Sequence, residues 1–160
     1  MKNLKITTVI KTYPSDELSK TDQELVTAAK EATKSSYAPY SRFSVGVAAL
    51  LKNGVVVTGS NQENAAYPSG ICAERTTLFY ANSQYPDQPV DTLVIAARTE
   101  KDFIESPIPP CGACRQVMLE TEARYKHPIR ILLYGKKEIY EIDRASDLLP
   151  ISFDGAAMEV

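Results

Sequence analysis

Histidine, net charge and long apolar runs are what this chain has least of, and each shortage excludes something. His127 is the only histidine and is followed by Pro128, so it reads as a turn residue, and a metal site here must rest on other ligands. Lysine and arginine number 18 against 20 aspartates and glutamates, a formal charge of −2, and no basic stripe with interleaved aromatics stands out. That leaves no electrostatic footprint for nucleic acid or an anionic membrane and points to a small substrate. Charges or prolines interrupt every stretch long enough to span a membrane, and Met1 to Ile6 is too short an apolar run for a signal peptide. Cysteine is scarce too. Three residues, two of them in Cys-x-x-Cys, make a poor disulfide framework and suit a reducing compartment, so the cytoplasm is the expected location.

The 160 residues show no internal repeat, low-complexity tract or linker. They are expected to form one domain, 1–160, with a core large enough that folding needs no metal. Residues 1–20 read as an amino-terminal extension in which Leu4 to Ile10 alternates like a peripheral strand before Pro14-Ser15-Asp16 breaks it. Thr21-Asp22-Gln23-Glu24 has the spacing of a capping box, and the apolar spacing from Leu25 predicts a helix to about Lys34. Phe43 to Leu51 and Val55 to Gly59 flank Asn53-Gly54, the pattern of a hairpin. Further strands are expected over Thr92 to Ala97, Ile129 to Tyr134 and Glu138 to Ile142. Helices are expected over Ala73 to Asn82 and Gly112 to Tyr125. The fold class is therefore α/β, a five-stranded mixed sheet covered by helices.

The cysteines fall into two phrases, Cys72-Ala73-Glu74-Arg75 and Pro110-Cys111-Gly112-Ala113-Cys114, each at the start of an expected helix. Unpaired backbone N–H groups and the positive end of the helix dipole favour thiolate there. Cys111 and Cys114 are one helical turn apart and can reach one Zn²⁺, with Gly112 easing the turn between them and Cys72 arriving from the other helix. Three thiolates leave a tetrahedral ion one open position for water, and Glu74 is the group placed to move that water's proton. A zinc ion with three thiolates is net negative, so Arg75 and the two helix starts are expected to offset it. For Glu74 and Cys72 to approach one site, Cys72 must lie at the non-helical edge, because residues two apart in a helix point nearly opposite ways. The alternatives are a Cys111/Cys114 redox pair or a closed structural zinc site. The closed site would need a fourth ligand, and His127 lies roughly 20 Å away along an intervening helix.

Longer phrases surround these residues: Ala38-Pro39-Tyr40-Ser41-Arg42-Phe43-Ser44-Val45-Gly46, Asn61-Gln62-Glu63-Asn64-Ala65-Ala66-Tyr67, Arg115-Gln116, and Leu148-Leu149-Pro150 followed by Phe153. Together they resemble the cytidine deaminase family, the small free-nucleoside type with an all-cysteine zinc site, from about Thr21 to Phe153. The resemblance implies a three-layer α/β/α sandwich with zinc between two helix N-termini, and a homotetramer with shared active sites. It implies Zn²⁺ on Cys72, Cys111 and Cys114 and Glu74 as proton carrier. Phe43, Asn61, Glu63 and the backbone of Ala73 would contact the nucleoside, and Phe153 would enter from a neighbouring subunit to stack on the base. The implied reaction converts cytidine and deoxycytidine to uridine and deoxyuridine with release of ammonia, as in pyrimidine salvage. A deaminase of a modified cytosine nucleoside is the alternative within the family, and a non-enzymatic zinc or redox module the alternative outside it. Pro109 and Ser60 depart from the family pattern, where serine and cysteine respectively are frequent.

Overall fold

In the computed structural model, which describes residues 1–158, the most completely buried strand is β4, Val90–Arg98. Its Leu93 and Ile95 enter one apolar core and its Val94 and Ala96 another. A strand apolar on both faces belongs inside a sheet covered on both sides. The remaining strands are β1 (Lys11–Tyr13), β2 (Ser44–Leu51), β3 (Val56–Ser60), β5 (Arg130–Tyr134) and β6 (Ile139–Ile142), and the sheet order is β1-β6-β5-β4-β2-β3. Only β4 and β5 pair in parallel. That pairing needs a crossover, which α3 (Gly112–Tyr125) provides.

Helix α1 (Lys20–Ala32) supplies Leu25, Val26 and Ala29 to one core. Helix α2 (Ala73–Gln84) supplies Ala73, Leu78 and Ala81 to the other, where α3 adds Cys114 and Met118. The result is the expected three-layer sandwich with the cysteine-bearing helices sharing one face. Among the described residues no helix is long and apolar enough to cross a membrane.

The sheet has six strands rather than five. The additional strand is not Leu4 to Ile10 but Lys11–Tyr13, which pairs antiparallel with β6 in the register Lys11↔Glu141. Polar anchoring decides this: the Tyr13 hydroxyl donates to Glu141 at 2.6 Å and Lys11 Nζ to Glu141 at 3.1 Å. β6 ends at Ile142, opposite Ile10 in this register, so the chain before Ile10 runs beyond its end. Leu4, Ile6, Val9 and Ile10 stay exposed.

The first helix also begins earlier than its sequence pattern indicates. Ser19, not Thr21, is the cap. Its Oγ accepts from Asp22 N at 3.1 Å and donates to the Asp22 carboxylate at 2.8 Å. Asp22 is buried and forms a two-pronged ion pair with Arg130 of β5, so the cap is chosen by a contact far away in sequence. The Asn-Gly hairpin forms as expected, with Gly54 at φ +84°.

Gly46 on β2 sets how closely α1 can approach. A Cβ there would stand 2.2 Å from the Ala29 carbonyl oxygen and 2.6 Å from Thr33 N, both backbone atoms. Gly46→Ala should therefore destabilise the fold by about 3 kcal/mol through overpacking. In a chain of this size that lowers Tm by roughly 6–12 °C. An unchanged melting curve would show that α1 can withdraw from the sheet without cost.

Candidate active site

Both phrases containing cysteine sit where a strand-to-loop path turns into a helix. Cys72 is the N-cap of α2, with φ −73° and ψ 153°, and Cys111 is the N-cap of α3, with φ −66° and ψ 165°. Cys72 thus occupies the non-helical edge, so its side chain and that of Glu74 need not diverge. The Sγ atoms of Cys72, Cys111 and Cys114 all lie within 4.8 Å of one another, with Cys72 to Cys111 at 3.9 Å and Cys111 to Cys114 at 3.4 Å. Sulfurs bound at about 2.3 Å around a tetrahedral zinc ion stand roughly 3.8 Å apart, so the spacing fits that ion. It is too long for the S–S bond of a disulfide, and all three cysteines are free.

No other cluster of metal-ligating side chains occurs among the described residues. His127 is engaged elsewhere, its Nε2 standing 3.2 Å from Asp91 Oδ1, and offers no fourth ligand. Gly112 does not play the steric part expected of it. A Cβ would meet nothing within 4 Å in a single copy of the chain, and its φ is not positive.

The electrostatics suit an anionic cluster beside a proton carrier. Hydrogen bonding with Cys114 and Cys111 and the neighbouring Arg75 guanidinium hold the Cys72 thiol down to about 5 against its partial burial. Sharing with Cys72 and burial push the Cys114 thiol up. Burial lowers the tendency of Arg75 to stay charged, but interaction with Cys72, Cys114 and Cys111 outweighs it. The Arg75 Nε is buried without a hydrogen-bond partner. Glu74 is only 5 % exposed. Burial raises its carboxyl above the usual range, with the nearby Cys72 charge adding to this. A carboxyl so placed can both take and return a proton.

Beside the cluster opens a groove of about 560 Å³, with Tyr40, Glu63, Tyr67, Ile71, Cys72 and Arg75 on its walls. Glu63 lines it, with one carboxylate oxygen accepting from the backbone N–H groups of Tyr40 at 2.9 Å and Ser41 at 3.2 Å. Hydrogen bonds from Ser41 and Tyr40 lower its pKa, so at neutral pH it is a pure acceptor. Asn61 also lines the groove, yet most of its amide is used internally. Its Oδ1 accepts from Ser36 Oγ at 2.6 Å and Val45 N at 2.8 Å, and its Nδ2 donates to the Phe43 carbonyl at 2.9 Å. One N–H remains for a ligand. Phe43 is partly buried at the entrance to β2, and Ala73 is fully buried as the first residue of α2. Phe153 is 63 % exposed on the carboxy-terminal tail and is not among the groove's lining residues.

The Tyr40–Ser41 clamp, Ser36 and Tyr67 did not stand out by residue type. Tyr40, Ser41 and Tyr67 stand within the family phrases but without a role of their own, since backbone donors carry no side-chain signature. Ser60, one of the two departures from the family pattern, is buried and accepts from Gln62 Nε2 at 3.1 Å.

Residues 19–126 match the family model described as the cytidine and deoxycytidylate deaminase zinc-binding region. Cytidine deaminase from Halalkalibacterium halodurans is 48% identical over 98 residues, 61% of this chain and 70% of that one. Cytidine deaminase from Mycobacterium tuberculosis is 38% identical over 128 residues, 78% of this chain and 84% of that one. The crystal structure of cytidine deaminase from Burkholderia pseudomallei superposes with a TM-score of 0.71 at 39% identity, covering 82% of this chain and 98% of that one. With the match running through both cysteine phrases and the fold shared almost end to end with that structure, the chain belongs to the cytidine and deoxycytidylate deaminase family.

Proposed function

We propose that this chain catalyses the zinc-dependent hydrolytic deamination of cytidine and deoxycytidine, giving uridine or deoxyuridine and ammonia. The observation that carries the reading is the convergence of three sulfurs from two helix starts beside a buried glutamate. Cys72, Cys111 and Cys114 would hold zinc, with Arg75 and the two helix N-termini offsetting the charge of the thiolates. Zinc, when bound there, supplies a Lewis acid that lowers the pKa of a water.

Glu74 takes a proton from the attacking water and delivers it to N3 of the base as the water oxygen bonds to C4. It then carries the second proton to the amino group, and the C4–N bond breaks to release ammonia. Burial suits the first half of this task, because a raised pKa makes the Glu74 carboxylate a stronger base toward the water. The free oxygen of Glu63 accepts from a sugar hydroxyl, and Asn61 adds its remaining N–H while holding the Phe43 backbone in place. The backbone of Ala73 meets the base. A carboxylate on the sugar favours a neutral nucleoside over a substrate with a phosphate near that position. We assign the chain to pyrimidine salvage in the cytoplasm, acting as a homotetramer.

In that assembly Phe153 of one subunit stacks on the base bound by another. Phe153→Ala should raise KM about tenfold while zinc stays bound, the loss of one aromatic stacking contact. Unchanged kinetics would remove Phe153 from the site. Ammonia release from a panel of cytosine nucleosides tests the substrate. Turnover of cytidine and deoxycytidine is expected, and turnover confined to base-modified analogues would overturn the assignment.

A further inference from the structure

We propose that Arg115 and Gln116, near the start of α3, are positioning residues that tie the tail carrying Phe153 to the loop carrying Cys111, so that metal retention and tail placement are linked. Arg115 lies between two segments far apart in sequence. Its Nε donates to the Pro110 carbonyl at 2.8 Å and its Nη1 to the Leu148 carbonyl at 3.0 Å. Pro110 immediately precedes Cys111, so one rigid guanidinium restrains the ligand loop and the start of the tail together.

Gln116 continues the attachment, its Nε2 donating to the Phe153 carbonyl at 2.9 Å. One turn and a half further along α3, Glu122 accepts from Ala145 N at 2.6 Å and Ser146 N at 3.0 Å. The helix that carries Cys114 thus holds the tail at three places: its start, Leu148 and Phe153.

The backbone shows why such holding is needed. Ile151 has φ +57°, a left-handed conformation that a β-branched residue avoids unless its surroundings enforce it. It lies between the Arg115 anchor at Leu148 and the Gln116 anchor at Phe153. Both anchors act on carbonyls, so they restrain the backbone from which the Phe153 side chain projects.

The inference rests on the reading of Cys111 and Cys114 as zinc ligands and of Phe153 as a stacking residue. Zinc release to a chelating dye and amide hydrogen exchange are both read without nucleoside. A chain that holds zinc but does not deaminate cytidine would contradict the proposed reaction and leave the link between zinc and the tail standing.

Two substitutions and one wild-type comparison form the test. Arg115→Lys keeps the charge but cannot span both carbonyls, and it should speed zinc release about tenfold, the usual effect of losing a partner outside the ligand set. It should also speed amide exchange over residues 149–153. Gln116→Glu keeps the shape and removes the donor. It should speed exchange at the tail and raise KM roughly three- to tenfold with kcat nearly kept, while zinc release stays at the wild-type rate. In the wild type, reciprocity requires that stripping zinc speeds exchange at 149–153 more than in the core of β4. The proposal is overturned if Arg115→Lys leaves zinc release or tail exchange unchanged, or if Gln116→Glu releases zinc as fast as Arg115→Lys. It is equally overturned if zinc removal leaves the wild-type tail unaffected.

Discussion

Replacing Glu74 by glutamine should lower the rate of ammonia release from cytidine by about 10³-fold or more, while the protein keeps its zinc and its melting temperature. The magnitude follows from the two proton transfers assigned to this one side chain, each of the size general acid–base catalysis contributes. Glutamine has nearly the same volume and can occupy the same buried position, so α2 and its packing persist. What is lost is the ability to accept a proton and give it back. Glu74 is 5 % exposed, so bulk water cannot readily take over the relay. A substitution that left the rate within tenfold of wild type would place the proton carrier elsewhere. A loss of zinc with the same substitution would turn Glu74 into a structural partner of the cysteines.

Cys114→Ser should have an equally large effect by another route. Cys114 is fully buried and belongs to the core that includes Met118 and Leu78. A serine hydroxyl there is a weaker ligand for zinc than a thiolate, and it is a polar group in an apolar wall. Zinc content should fall well below one per chain, activity should fall with it, and added zinc should restore only a small part of the rate. Cys111, which is exposed, gives a comparison. Cys111→Ser should lose zinc to a similar extent with a smaller fall in Tm, because no buried core contact is altered. Full activity in either variant would mean that its sulfur is not a ligand.

Much of this site was legible in the sequence because its chemistry is local. Cys72 and Glu74 are two residues apart, Cys111 and Cys114 three, and helix α3 spans Gly112–Tyr125, as its pattern indicates. The nucleoside contacts proposed for Phe43, Asn61, Glu63, Ala73 and Phe153 came from the family resemblance and not from composition or spacing. The contacts of Arg115 and Gln116 with the tail and the backbone clamp on Glu63 escaped because each joins partners 22 to 37 residues apart.

The fold was misread where long-range polar contacts outweighed local pattern. Leu4 to Ile10 alternates better than Lys11–Tyr13, yet only the latter has β6 beside it and Glu141 to bind. The cap of α1 moved to Ser19 because Arg130, 108 residues on, holds Asp22 in the first turn. Neither preference is visible within a window of a few residues.

Conversion of cytidine to uridine, followed by ultraviolet absorbance on zinc-loaded protein and on the same sample after a strong chelator, tests the central claim most directly. Steady turnover with one ammonia per uridine, abolished by the chelator and restored by added zinc, is the predicted result. No turnover of cytidine or deoxycytidine by protein that holds zinc, or turnover that survives complete removal of the metal, would contradict it.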